Sequence, residues 1–186
     1  SGSFLINTTG QNNTTIGTQS LRNADGTQYN AAIGYRAMYN TTTGDWNTAV
    51  GYQSLYNNTT GTTNSAVGTW SLYNNTIGTY NVAMGYQSLK NVTSGSNLTA
   101  FGYQAGWDGS GDNAIMIGYR AGYNSGAAHS IVLNASGSNL SADESGLYIR
   151  PVRYTATQDA TDDGLMFYNQ STGEVRYSYV LDGGAF

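Results

Sequence analysis

The residues able to do acid–base chemistry are few and scattered along the chain. The 186 residues contain one histidine, His129, in the turn-like segment Ala127–Ser130. A lone histidine in a turn is usually a structural or surface residue. The acids available for a carboxylate pair of the kind that hydrolyses glycosidic bonds are Asp108, Asp112, Asp143, Glu144, Asp159, Asp162 and Asp163. Acids clustered in turns are mostly solvated, so we expect no catalytic pair.

Motifs for nucleophiles, phosphates and metals are also missing. The chain has no Gly-x-Ser-x-Gly elbow, no pair of histidines and no glycine-rich loop that ends in lysine. Residues 108–113 place oxygen ligands at alternate positions, as the start of a calcium loop does, but the loop glycine and the distal glutamate are absent. The sequence therefore predicts a protein that is not an enzyme and has no cofactor, with calcium at Asp108 and Asp112 as an open alternative.

Composition indicates an ordered, all-β protein. Glycine (25) and tyrosine (16) are abundant, proline occurs once, and aromatic residues make up 12% of the chain. Such residues favour strands and tight turns. Only seven Lys and Arg and a net charge of -4 leave no basic patch, so we expect no nucleic-acid partner. No long apolar run is present, so we expect no membrane insertion.

A regular repeat must position whatever function the chain has. Seven glycines, each preceded by a bulky apolar residue, recur at five steps of 17 residues and one of 16. They are Gly17, Gly34, Gly51, Gly68, Gly85, Gly102 and Gly118. This regularity predicts a parallel β-roll or β-solenoid of about seven 17-residue coils. We call these residues the coil glycines.

The apolar positions of each coil predict its path. The residue before each coil glycine, such as Val50, is always large and apolar, and we expect it to be buried. A leucine or methionine, such as Leu55, stands four residues after the glycine in the first five coils. Because five residues separate the two positions, a bend at the glycine is needed for both to face one interior. We therefore expect each coil to have two short strands and two turns.

Polar and aromatic residues repeat with the same period. An asparagine stands four residues before the first five coil glycines and is expected to form a hydrogen-bonded ladder. These residues are Asn13, Asn30, Asn47, Asn64 and Asn81, and the pattern slips by one residue at Asn97 and Asn113. Two sets of tyrosines, one directly after the glycine and one five residues after it, are expected to stack as columns.

Asn-x-Thr/Ser sequons also recur, as at Asn40, Asn91 and Asn134. A secreted eukaryotic protein with these sequons would be glycosylated. Because most of them follow the 17-residue period, they indicate turn chemistry instead.

The repeats are expected to end near residue 134, after a degenerate eighth coil at 130–134. The domains predicted are thus a repeat domain, 1–134, and a C-terminal β module, 135–186. In the module, 146–152 and 164–169 are predicted to be strands, and 169–174 to be a hairpin turn into a strand at 175–179. Since the chain begins without an initiator methionine or a basic leader, we expect it to be part of a longer protein.

The coil element Asn64-Ser65-Ala66-Val67-Gly68 resembles the head repeats of trimeric autotransporter adhesins, as do residues 47–51 and 81–85. The likeness covers about residues 7–134, although the usual family repeat is shorter than 17 residues. Those heads are left-handed parallel β-rolls that assemble as trimers. Similar repeats occur in phage and large-virus tail fibres, and residues 164–175 resemble the segment before an endosialidase-type intramolecular chaperone. In that family the chaperone trimerises the fibre and then cleaves itself off.

The resemblance implies a homotrimeric fibre, extracellular or on a virion surface, that attaches to a host through glycans. We expect the glycan to contact aromatic and amide side chains, although the tyrosines would equally suit a seam between subunits. The candidate glycan residues are Tyr35, Tyr52, Gln53, Tyr86, Gln87, Tyr103 and Gln104. Small side chains are expected to pack near the threefold axis, at Ala32, Ala49, Ala66, Ala83 and Ala100.

Four alternatives to a viral or phage fibre remain open. The chain could be a purely structural spacer or the head of a bacterial trimeric adhesin. Threonine-rich turns such as 41–43 would suit an ice-binding solenoid. A polysaccharide-cutting enzyme on the same scaffold is the fourth alternative.

Overall fold

The chain is all-β in every described segment. A computed structural model describes residues 10–109, 111–150, 164–169 and 174–179. The chain divides into two units, residues 1–151 and 152–186. Within the described ranges, no helix combines the length and apolar character needed to cross a membrane.

The first unit is a β-solenoid of about eight coils, which confirms the predicted fold class. Its nine strands pair in chain order in one parallel sheet. The strands are β1 (Thr14–Ile16), β2 (Ala31–Ile33), β3 (Thr48–Val50), β4 (Ser65–Val67), β5 (Val82–Met84), β6 (Thr99–Phe101), β7 (Ile115–Gly118), β8 (Ser130–Asn134) and β9 (Gly146–Arg150). At the usual interstrand spacing of about 4.8 Å, the sheet measures about 38 Å from β1 to β9.

The register places each residue over its equivalent in the next coil. Ala49 pairs with Ala66, and Ala66 pairs with Ala83. Strand β8 confirms the degenerate eighth coil. The parallel sheet also continues beyond residue 134, because β9, expected in the C-terminal module, pairs with β8.

Each coil has one strand, not the two that we expected. The path after the coil glycine consists of turns and bends in which non-glycine residues adopt left-handed conformations, as Gln53 (φ 52°) and Leu55 (φ 49°) do. These residues bond to neighbouring coils in opposite directions. The Gln53 N–H donates to Tyr35 O of the preceding coil at 2.9 Å, and the Leu55 N–H donates to Ser71 O of the following coil at 3.0 Å. Inter-coil hydrogen bonds thus offset the cost of about 1 kcal/mol for each left-handed residue.

The interior lies between the alanine of the strand and the leucine of the turn path. Alternate side chains of a strand point to opposite faces, so a three-residue strand turns only its middle side chain inward. Our prediction that the residue before the coil glycine is buried is therefore wrong: Ile16 is 59% exposed and Met84 is 46% exposed. The prediction for the leucine position is confirmed, because its members have no exposed surface: Leu21, Met38, Leu55, Leu72 and Leu89.

The last coils have a different cross-section, as predicted. Gly106 and Gly122 replace the leucine, and Met116 replaces the strand alanine. A Cβ on Gly106 would lie 2.9 Å from Met116 Sδ, and one on Gly122 would lie 2.7 Å from Met116 Cγ. The methionine side chain thus occupies the space that the two missing leucines leave.

The asparagine ladder is confirmed, but it joins side chains to the backbone instead of amide to amide. Oδ1 of Asn64 accepts a hydrogen bond from the Asn81 N–H at 3.0 Å, and its Nδ2 donates to Gly78 O at 2.8 Å. The same pattern links Asn13, Asn30, Asn47 and Asn81 to the coils that follow them. The ladder ends at Leu98, whose N–H donates to Asn81 Oδ1 at 3.0 Å. Asn97, one residue out of register, is exposed.

The second unit contains an antiparallel hairpin. Its strands are β10 (Gly164–Asn169) and β11 (Glu174–Tyr179), with Asn169 opposite Glu174. Both predicted strands are confirmed within one residue. The predicted turn residues 170–173 lie outside the described residues, as do Pro151 and Val152 of the first predicted strand.

We predict that Gly51→Ala destabilises the solenoid by about 3 to 5 kcal/mol. Gly51 has a φ of +136°, and an added Cβ would lie 2.6 Å from Gly68 O in the next coil. The alanine therefore forces both a strained backbone and a displaced coil. Urea unfolding followed by circular dichroism measures the change. The matched control is Gly137→Ala, since nothing lies within 4 Å of that Cβ. Equal effects of the two substitutions would contradict the stacking argument.

We predict that Asn64→Ala costs about 3 kcal/mol, because it leaves the buried Asn81 N–H without its acceptor and creates a cavity. The same unfolding experiment measures it. Asn124→Ala is the control, since Asn124 is exposed on a turn, and its effect is expected to stay within about 0.5 kcal/mol. A loss below that value for Asn64→Ala would show that the ladder does not hold the coils together.

Candidate binding surfaces

The outward side of the parallel sheet is an uncharged, largely apolar surface. It is formed by the side chains one and three residues before the coil glycine and by their equivalents on β8 and β9. We call it the outer sheet face. Its exposed large members are Ile16, Met84, Ile115, Ile117, Ile131, Leu147 and Ile149. None of its outward positions on β1 to β9 carries a charge.

The alanine column predicted to pack between subunits lies on the opposite side of the same strands. Ala32, Ala49, Ala66, Ala83 and Ala100 have at most 1% of their surface exposed within a single chain. They pack inside the coil, opposite the leucines, and cannot touch another subunit. The expectation is therefore corrected: the small residues narrow the interior of each chain, and the neighbouring bulky residues are the ones left outside.

The tyrosines that follow the coil glycine form a stacked column, as predicted. Tyr86 and Tyr103 have ring centroids 5.4 Å apart, and Tyr103 and Tyr119 have centroids 5.3 Å apart. Trp70 fills the place where Thr69 interrupts the column and meets Tyr52 edge to face. The candidate tyrosines are 38–44% exposed. Because the stacked rings cover one another's faces, they offer mainly edges and hydroxyl groups to a ligand.

The candidate glutamines form side-chain hydrogen bonds with neighbouring coils. Gln87 and Gln104 are each only 7% exposed, and Gln104 Nε2 donates to Gln87 Oε1 at 2.7 Å. The Trp70 Nε1–H donates to Gln53 Oε1 at 2.7 Å. Each of the three candidate amides therefore already has a side-chain hydrogen bond, and those of Gln87 and Gln104 are also buried.

Cationic side chains lie against the aromatic columns. Lys90 Nζ is 5.3 Å from the Trp70 ring centroid and 4.7 Å from that of Trp107. Arg36 lies 5.1 Å from the Tyr35 ring, and Arg120 lies 4.9 Å from the Tyr123 ring. These cation–π contacts place the positive charges against the aromatic rings of the columns.

A second tyrosine column stands five residues after the coil glycine. Tyr39, Tyr56 and Tyr73 stack with centroids 5.2 and 5.1 Å apart. Burial, and then the neighbouring tyrosines, raise the pKa of Tyr73 above its ordinary value. Its hydroxyl group therefore remains a neutral donor and acceptor at physiological pH.

A polar groove, which our sequence analysis did not identify, runs beside this second column. Its volume is about 500 Å³, and it crosses several coils. We call it the Asn/Thr groove, and its lining residues are Asn23, Asn40, Asn57, Asn74, Thr42, Thr59, Thr76 and Thr93. The signal that could have revealed it is the asparagine six residues after each of the first five coil glycines, followed two residues later by threonine in four of those coils.

Two hydrogen-bonded ladders build the groove wall. Each asparagine Nδ2 donates to Oδ1 of the next asparagine, as Asn57 donates to Asn74 at 3.1 Å. Each threonine hydroxyl donates to the carbonyl oxygen of the next threonine, as Thr59 donates to Thr76 at 2.9 Å. The sequons that recur every 17 residues each consist of an asparagine from the first ladder and, two residues later, a threonine from the second. This supports the interpretation that the period of the sequons reflects coil structure.

The described candidate acids and the histidine are exposed residues in turns and bends. Oδ1 of Asp112 accepts the Ser96 N–H at 2.8 Å, and Oδ1 of Asp108 accepts Asn91 Nδ2 at 2.6 Å. His129 is an exposed turn residue with a φ of 56°. In the part of the chain that the structure describes, no three acids or histidines cluster as metal ligands do. Asp159, Asp162 and Asp163 lie outside the described residues.

The chain has no significant match to any protein-family model, curated protein or solved structure. The features of the described residues that bear on function are the outer sheet face, the tyrosine columns and the Asn/Thr groove.

Proposed function

We propose that this chain is a non-enzymatic subunit of a homotrimeric fibre, similar to a viral or phage tail fibre, that attaches to a host surface through glycans. The observation that carries the proposal is the outer sheet face, whose bulky apolar side chains are exposed on five of its nine strands and half-buried on the other four. The location that follows is extracellular or on a virion surface.

The outer sheet face needs a partner. Parallel sheets are normally covered on both faces, but here only the inner face is covered by the chain's own coils. Exposed apolar patches of this kind mark interaction sites on soluble proteins. The partner that fits is a second copy of the same face, because its rows of side chains repeat at the same spacing and neither copy brings a charge.

The number of copies rests on the resemblance of residues 64–68 to adhesin head repeats, which are trimeric. In such a trimer, Val50 and Val67 face the neighbouring chains, and Ala49 and Ala66 remain inside their own chain. The tyrosine column lies beside the outer sheet face in sequence, since Tyr52 follows Val50 by two residues. It borders the subunit seam and leaves its ring edges accessible.

Host attachment is the part of the proposal that a spacer would lack. The ladders of hydrogen bonds make a rigid rod, and this property alone would serve a purely structural fibre. The Asn/Thr groove favours attachment, because a spacer has no need of a concave polar surface.

We predict that light scattering gives three chain masses for the intact protein at micromolar concentration. Val67→Glu combined with Met84→Glu is expected to yield monomers, because it places two carboxylates in the buried centre of the interface. Thr60→Glu with Ser94→Glu adds the same charge at exposed turn positions and is expected to leave the trimer intact. Circular dichroism of both variants checks the fold. A wild-type monomer would contradict the proposal.

We predict saturable binding of the intact trimer to at least one class of host glycan on an array. A spacer is expected to bind none. The monomeric Glu variant is the control for avidity, because three linked sites bind more tightly than one. New reducing ends after incubation with host polysaccharide would indicate an enzyme and would contradict the non-enzymatic assignment.

A further inference from the structure

The Asn/Thr groove has the form of a binding site for a long ligand. It extends over at least four coils, from Asn23 at one end to Thr93 at the other. Its wall repeats once per coil, at about 4.8 Å. A ligand that uses the whole groove must therefore be extended and must itself repeat at a similar distance.

The hydrogen-bonding groups of the wall are half used. Each asparagine of the groove donates one amide hydrogen to the asparagine of the next coil, as Asn40 donates to Asn57 at 2.9 Å. Its second amide hydrogen has no partner in the groove wall. The Thr59 hydroxyl gives its hydrogen to Thr76 O at 2.9 Å, so its oxygen can accept from a ligand. The groove thus offers donors and acceptors in alternating columns that are already held in place.

The groove carries no charge. Its eight lining side chains are all amides and hydroxyls, which suits hydroxyl groups better than phosphates, carboxylates or cations. The lining has no aromatic ring or long aliphatic side chain, and its apolar surface consists of threonine methyl and asparagine methylene groups, which suit the C–H groups of a sugar ring better than a fully apolar ligand. A neutral, hydroxyl-rich polymer is the class that remains.

We propose that the Asn/Thr groove binds an extended, uncharged polysaccharide that lies along the solenoid with one sugar per coil. A β-1,4-linked hexose chain advances by nearly one interstrand spacing per sugar, with successive sugars turned over. The 6-hydroxyl of one sugar and the 2- and 3-hydroxyls of the next therefore meet the asparagines and threonines of successive coils in alternation. This inference rests on the proposed attachment function and deepens it, because it moves the glycan site away from the tyrosine column.

The test is calorimetric titration of the intact protein with β-1,4-linked glucose oligomers of two, four and six units. The affinity is expected to rise at least tenfold from two to four units and to level off once the groove is filled. A polymer of the same linkage with a carboxylate on each sugar, such as oxidised cellulose, is expected to bind at least tenfold more weakly. An affinity that does not depend on length would overturn the inference.

Variants locate the site. Thr59→Val with Thr76→Val keeps the side-chain shape but removes two groove hydroxyls, and it is expected to weaken binding of the six-unit oligomer at least tenfold. Thr18→Val with Thr69→Val makes the same replacement in the tyrosine column and is expected to have no effect. Circular dichroism and thermal unfolding confirm that both variants fold. Loss of binding in the second pair alone would overturn the groove and restore the tyrosine column as the site.

Two further readouts separate this inference from the proposed function. If the trimer forms and binds host glycans while the groove variant binds them equally well, the groove inference fails and the attachment function stands. If the protein is monomeric and binds no host glycan, yet the oligomers bind in the groove, the attachment function fails and the site stands. Thermal hysteresis that the groove variant abolishes would mean that the wall orders water as an ice-binding surface does, and it would overturn the polysaccharide assignment.

Discussion

The spacing of about 4.8 Å between hydrogen-bonded coils constrains everything else in this solenoid. With a period of 17 residues, the spacing places each side chain directly over its equivalent, so every position must tolerate a copy of itself above and below. Amides, aromatic rings and small residues meet this condition, because they bond to or stack on themselves.

Like charges in neighbouring coils repel at this distance. Among the described coils, no two neighbours carry the same charge in the same column, and the cations Lys90 and Arg36 lie against aromatic rings. The low charge and the high tyrosine content follow from this condition.

The features predicted from the sequence are those that the period determines. The coil length, the asparagine ladder, the stacked tyrosines and the changed cross-section near Gly106 all follow from spacing alone. The direction of the side chains does not. The sequence predicts one interior for Val50 and Leu55 only if each coil has a second strand, but left-handed residues such as Gln53 replace that strand. Glutamine and leucine have no local preference for positive φ. Their left-handed conformation depends on hydrogen bonds to two neighbouring coils, so the local sequence does not predict it.

The Asn/Thr groove was missed for a related reason. In the sequence its asparagine and threonine columns are visible only as sequons, for which turn chemistry is a sufficient explanation. The residue between them, such as Asn58, points inward, so the flanking side chains share one outer wall. Whether such a wall is flat or concave depends on the path of the neighbouring turns, and no single residue specifies that path.

The narrow interior explains why bulky apolar residues lie outside. The coils of Gly51, Gly68 and Gly85 each enclose a leucine and an alanine side by side, with no room for Val50, Val67 or Met84 as well. An apolar column that cannot enter its own coil must be covered from outside or remain in water at a cost of about 25 cal/mol per Å². Every exposed surface of the solenoid is a linear array with the period of the coils. A surface of this kind selects partners that share its period, which are a second solenoid at the apolar face and a regular polymer at the polar one. The assembly and the attachment that we propose are therefore two consequences of a single repeat distance.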